Sequence, residues 1–210
     1  MPDNRSIIKI YWFRKDLRIF DNKALTYFIN NLDSIEKYLF IYIKNKDILK
    51  FYGDKRLAFL KKCLEELSVS LKEKNLSLSV LKGNSVEVFN TLLNKYKLIS
   101  VYSNKQIEPY TISRDNKISD ILKESGSELL LFNDTTLFES NEIVKDDGNP
   151  YSVFTPFSKK CYSLLNENHF KDSKTFIDKL NPNNCISLES AELDSHTPSQ
   201  ILKGGRKEGL

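Results

Sequence analysis

Short apolar runs rich in β-branched and aromatic residues alternate along this chain with longer runs whose apolar residues recur every three or four positions. The short runs are Ile7–Phe13, Tyr38–Ile43, Leu76–Leu81, Ile99–Tyr102 and Glu128–Phe132, nearly continuous in apolar side chains as strands buried on both faces are. Four helices are expected between them. The first covers Lys23–Asn31, capped by Asp21 or Asn22; the second runs from about Asp54 to Lys74, with Leu57, Leu60, Leu64, Leu67 and Leu71 on one face. The third covers Val86–Tyr96 behind Ser85 as cap, and the fourth roughly Ser113–Glu124, stopped by Ser125-Gly126. Alternation of this kind predicts an α/β fold, a Rossmann-like, doubly wound sheet of five parallel strands with helices on both faces and right-handed crossovers.

After Phe132 the rhythm breaks. Asp146-Asp147-Gly148-Asn149-Pro150 is a turn cluster, and Thr155-Pro156 opens a helix to about Leu165 with proline at its first position. From Asn166 to Ser199 the chain is polar and aperiodic, which reads as an extended linker lying over a surface. The expected organisation is an α/β core over 1–133, an aromatic clasp with a short helix over 134–168, and a linker over 169–210. The last residues look like a turn before a helix, as if a further domain followed.

Composition narrows the field a little. A hydrophobic fraction of 40%, a charged fraction of 29% and a net charge of +4 describe an ordinary soluble domain whose charges are interleaved, with no basic stripe for a nucleic acid. Cys63, Cys161 and Cys185 lie far apart, as free thiols in a reducing compartment would, and His169 and His196 stand in polar surroundings. No metal site, membrane span or signal peptide is expected, and the location expected is cytoplasmic.

Chemistry concentrates at two corners. The first strand ends in Arg14, Lys15, Asp16, Arg18 and Asp21, just before a helix begins. Such clusters are usually structural ion pairs, yet the carboxyl rim of an open α/β sheet is where ligands sit. Both roles fit together if Asp16 and Arg18 brace the turn while Lys15 or Arg14 faces a ligand. The turn has no glycine, so it is no dinucleotide fingerprint, and Gly83-Asn84-Ser85 is a weak candidate for an anion seat. Across the expected crevice, the fourth strand runs into Lys105, Gln106, Ile107, Glu108, Pro109 and Tyr110.

The stretch Trp12-Phe13-Arg14-Lys15-Asp16-Leu17-Arg18, followed by Asp21-Asn22-Lys23-Ala24-Leu25, resembles the opening of the DNA photolyase/cryptochrome family at every fixed position. Three further stretches are similar to that family: Glu108-Pro109-Tyr110 with Arg114-Asp115, the run from Tyr151 to Phe157, and Gly204-Gly205 through Leu210. The resemblance implies the N-terminal domain that holds a light-gathering antenna pigment, ahead of a helical domain that holds FAD and repairs pyrimidine dimers in UV-damaged DNA. By that resemblance the FAD and DNA sites lie beyond Leu210, so the chain alone is expected not to repair DNA. Glu108-Pro109-Tyr110 favours a deazaflavin. The Asn-Glu pair of folate-carrying members would fall at Tyr110 and Thr111 and is absent, while the aspartate usual in deazaflavin members is Gln106 here. A flavin, or no pigment, is left open. Pigment contacts are expected from Arg14, Lys15, Asp16, Lys105, Gln106 and Glu108, with no catalytic residue. Two alternatives stand beside repair: a cryptochrome-type photoreceptor, and a stand-alone nucleotide-binding α/β protein.

Overall fold

The computed structural model describes residues 4–139, 141–171 and 173–191. Strands β1 (Ile7–Phe13), β2 (Lys37–Lys44), β3 (Leu78–Lys82), β4 (Lys97–Asn104) and β5 (Glu128–Phe132) form one parallel sheet in the order β3-β2-β1-β4-β5. The chain winds outward from β1 through β2 to β3, then returns to the other side of β1 at β4. The reversal opens a crevice between the carboxyl ends of β1 and β4, the switch point of a doubly wound sheet.

Both faces are covered. Tyr11 and Phe13 point to one side, where Phe28 of α1 (Lys23–Asn30) and Leu64, Leu67 and Leu71 of α3 (Asp54–Lys72) pack. Ile8, Ile10 and Trp12 point to the other, against Phe89 of α4 (Ser85–Lys95) and Ile118 and Leu122 of α5 (Pro109–Glu124). Each of these large side chains, fully withdrawn from water, contributes roughly 1.5–3 kcal/mol. Double coverage is why the strands read as unbroken apolar runs.

Local chemistry shifted several boundaries. Asn22 caps α1 by accepting from Leu25 N at 3.1 Å, while Asp21 takes a positive φ of 43° just before it. Asn84, and not Ser85, caps α4 by accepting from Val86 N at 2.9 Å. Helix α5 begins four residues before Ser113, because Pro109 presets the helical φ at a position that needs no amide donor. In α6 (Phe154–Leu164) Pro156 is the third residue of the first turn, which is still free of that demand. A helix absent from the sequence reading, α2 (Lys46–Leu49), follows β2 directly, with Asn45 as its cap.

The polar tail does more than lie over a surface. Strand β6 (Cys185–Ile186) pairs with Tyr38 and Leu39 of β2, the stretch just before β3 begins opposite Phe40, and so adds a sixth strand. Ile177 and Leu180 enter the first core at 5% and 7% exposure, and Ser190 Oγ and Ala191 N bond Val80 on the edge strand. The aromatic clasp does not pack on the sheet. Phe154 is 77% exposed, no residue of α6 is buried, and the rings of Tyr151 and Phe154 each meet that of Phe157. The Gly204–Leu210 stretch lies outside the described residues.

Candidate functional site

Both charged corners lie at one rim of the sheet. Arg14 Nη1 reaches across from β1 to the carbonyl oxygen of Asn104, the last residue of β4, at 3.4 Å. An ion pair between Lys15 and Glu108 ties the corners again at the surface. Hydrogen bonding from that lysine holds the Glu108 carboxyl below its ordinary range.

On one side of the β1 corner the polar groups form a closed knot. Asp16 Oδ2 lies 3.0 Å from the Tyr11 hydroxyl, 2.7 Å from Asn104 Nδ2 and 3.2 Å from Asn22 Nδ2, while Oδ1 accepts from Arg14 N at 3.2 Å. Asn104 Oδ1 in turn accepts from Ala24 N at 3.1 Å, pinning the start of α1 to the end of β4. Asp134 joins through Asn104 Nδ2 at 3.1 Å and Arg18 Nη2 at 2.7 Å. Burial pushes the Asp134 carboxyl up, against the pull of Arg18, and Asp16 nearby adds to the rise. Burial and the adjacent Asp16 likewise drive the Tyr11 phenol up.

On the other side sits Arg14, 6% exposed, its guanidinium 4.0 Å from the centroid of the Trp12 ring. Nη1 binds Asp115 Oδ2 at 2.7 Å, whereas Nε and Nη2 are buried without a hydrogen-bond partner. Burial lowers the Arg14 pKa to about 10, with Asp115 opposing the fall. Arg114 takes the other oxygen of Asp115 at 2.9 Å and lies 4.7 Å from the same Trp12 ring, so one carboxylate serves two guanidinium groups.

A cavity of about 440 Å³ opens on this side. Of the residues expected to hold a ligand, Arg14, Lys15, Gln106 and Glu108 line it. Asp16 and Lys105 do not; they line a separate polar cavity of about 260 Å³, which Lys15, Gln106 and Glu108 also border. Lys105 is paired there with Glu139 at 2.7 Å. The rest of the larger cavity's wall was not among the expected contacts, although Trp12, Tyr110 and Arg114 belong to the stretches that resemble the family. Trp12 and Tyr42 come from the strands, Ile48 and Tyr52 from α2 and the turn after it, and Tyr110 and Arg114 from α5. Asn45 Nδ2 meets the Tyr110 hydroxyl at 3.4 Å across the mouth. For Ile48 and Tyr52 the one available signal was the Asn45-to-Tyr52 stretch, a helix cap followed by apolar and aromatic residues in a supposed connection. Of Gly83, Asn84 and Ser85, Ser85 alone lines the cavity, and Asn84 fills its own helix start. Among the described residues no group of three or more His, Cys, Asp or Glu side chains is placed to hold a metal, and no helix is long and apolar enough to cross a membrane.

Similarity to known proteins converges on one family. The family model described as DNA photolyase matches residues 9–175. Cryptochrome-1 of Sylvia borin is 27% identical over 96% of this chain, and deoxyribodipyrimidine photo-lyase of Synechococcus sp. is 30% identical over 71% of it. The chain spans 34% and 31% of the length of those two relatives. Among solved structures, an archaeal photolyase from Sulfolobus tokodaii, described with two FAD molecules, superposes with a TM-score of 0.63 at 25% identity, covering 75% of this chain and 35% of that one. A cryptochrome from Synechocystis sp. gives a TM-score of 0.75 at 16% identity over 99% of this chain and 45% of its own, a likeness of fold. The chain belongs to the DNA photolyase family, whose N-terminal α/β domain it carries.

Proposed function

We propose that this domain holds a planar light-harvesting pigment in the 440 Å³ cavity and serves a photolyase, in which a separate flavin domain repairs pyrimidine dimers in DNA. The observation that carries the reading is the cavity itself, at the switch point of the sheet and walled by Trp12, Tyr42, Tyr52 and Tyr110. Its volume falls within the ~300–1,000 Å³ of small-molecule sites. Flat aromatic walls suit a flat ring, and Arg14, Lys15, Gln106, Glu108 and Arg114 give the same pocket a polar side. Arg14, Gln106 and Glu108 would orient the pigment, and Lys15 and Tyr110 would close the mouth. Asp16 and Lys105 enter as residues that hold the corner in shape. When bound, such a pigment supplies light absorption and passes its excitation onward, which asks the protein for position and exclusion of water and for no proton transfer.

A deazaflavin fits the Glu108-Pro109-Tyr110 turn, and a flavin fits the same walls; the two FAD molecules named for the Sulfolobus tokodaii photolyase favour keeping a flavin in view. The cryptochrome reading shares this site and differs only in what the flavin domain does. Three scattered free thiols suit a cytoplasmic location. Purification from a deazaflavin-producing host tests the proposal: a visible absorption band co-eluting with the chain is expected. A chain that stays colourless after saturation with deazaflavin and with flavins contradicts it.

A further inference from the structure

Trp12 is the most readily oxidised side chain in the wall of the pigment cavity, and two cations lie against it. The Arg14 guanidinium is 4.0 Å from the ring centroid and the Arg114 guanidinium 4.7 Å. Asp115 pairs with both, so two cations and one anion leave a net positive charge beside the indole. Arg14 meets that carboxylate through Nη1 alone, with Nε and Nη2 buried without hydrogen-bond partners, so its charge is incompletely neutralised. Trp12 and Arg14 are buried and Arg114 nearly so, which keeps screening by water weak. A brace from β1 to α5 needs only one of these arginines. The arrangement recurs at a second ring of the same wall, Tyr52, where the Arg56 guanidinium stacks 3.6 Å from the centroid.

We infer that Arg14 and Arg114 at Trp12, and Arg56 at Tyr52, shield an excited pigment from its own aromatic walls by making those rings poor electron donors. The inference rests on the pigment reading above and adds what lets the site pass energy on. A flavin or deazaflavin excited by light is a strong one-electron oxidant. In the side reaction, one electron leaves the indole for the orbital that light has vacated on the pigment, and the indole becomes a radical cation. Return of that electron in the dark restores both partners, and the excitation is lost as heat. No bond forms or breaks. A guanidinium is attracted to the face of a neutral indole, but the same cation repels an indole that has lost an electron. Aromatic walls alone would hold a pigment and quench it; walls lined with cations can hold it and leave it bright.

Time-resolved fluorescence of riboflavin and of a deazaflavin nucleoside bound to the 210-residue chain tests this, since the lifetime of the bound fraction does not depend on affinity. The variants are Arg114→Met, Arg114→Lys, Arg56→Gln, and Arg114→Met combined with Trp12→Phe, with melting curves to verify folding. Arg114→Met should shorten the bound lifetime about tenfold, a modest part of what a unit charge at this range can do. Arg114→Lys should keep most of the lifetime, and Trp12→Phe should restore it in the Arg114→Met background, as a merely structural role for Arg114 would not allow. Arg56 is exposed, so Arg56→Gln folds, and it should shorten the lifetime about twofold because water screens that charge. A lifetime unchanged in Arg114→Met, or in Arg56→Gln should the former not fold, overturns the shield while the pigment reading stands. So does a lifetime already collapsed on the unaltered chain, or a shortening that Trp12→Phe leaves in place. Refusal of both pigments by the unaltered chain overturns both.

Discussion

The two sides of the β1 corner use the same kinds of residue to opposite ends. Around Asp16, Tyr11, Asn22, Asn104, Asp134 and Arg18 satisfy one another, and both carboxylate oxygens of Asp16 are engaged. Around Arg14, one carboxylate is divided between two guanidiniums, two N–H groups find no acceptor, and an aromatic cavity opens alongside. A satisfied buried network rigidifies and specifies a fold, while buried groups left without partners are the exception and need a reason of their own. The charge cluster at the end of β1 is therefore a brace on one side and, on the reading proposed above, a ligand wall on the other, divided two residues apart.

That division has measurable consequences. The largest concerns the brace. Asp16→Ala removes the acceptor that Tyr11, Asn22 and Asn104 share and should cost on the order of 3 kcal/mol in urea unfolding; a loss under ~1 kcal/mol would mean the knot is not structural. Arg14→Met comes next. It releases Asp115, which keeps Arg114, so a stability loss of about 2 kcal/mol is expected together with lost pigment retention. Full pigment retention in that variant would move the ligand off the Arg14 side.

Glu108→Ala and Lys105→Ala form a sharper pair. Each breaks a largely exposed ion pair, worth under ~1 kcal/mol. Pigment affinity should fall for Glu108→Ala alone, since Lys105 borders only the 260 Å³ cavity of the two. An equal fall in both would place the ligand in the smaller space. The smallest effect is one of pH. The folded pKa of Asp134 is raised, so its contribution to stability is fullest with the proton on and declines as pH climbs from the ordinary aspartate value through the raised one. Asp134→Asn should remove that decline from a plot of melting temperature against pH, and parallel curves for the two proteins would deny it.

Much of this was legible in the sequence, and the exceptions have physical reasons. Strands buried on both faces announce themselves as apolar runs, and the leucine ladder of α3 has a period nothing else produces. Strand β6 has two residues and helix α2 has four, too short for any period to register. Ile177 and Leu180 are isolated apolar residues in a polar stretch, and only the contacts they make reveal them as core. At the site, charge drew attention to Arg14, Lys15, Gln106 and Glu108. Tyr110 stood in the motif after β4, but Tyr42 and Tyr52 went unnoticed because a tyrosine in or after a strand reads as ordinary packing until a cavity is found in front of it.

Trp12 is the sole tryptophan of the chain and part of the pigment cavity's wall. Its emission overlaps the absorption of flavins and deazaflavins, so titrating either pigment into the protein while following tryptophan fluorescence reads binding near Trp12, and the Glu108 and Lys105 variants assign it to one cavity or the other. The account predicts saturable quenching at one pigment per chain, weakened by Glu108→Ala and unaffected by Lys105→Ala. Pigment that binds without quenching Trp12, or quenching that never saturates, would contradict it.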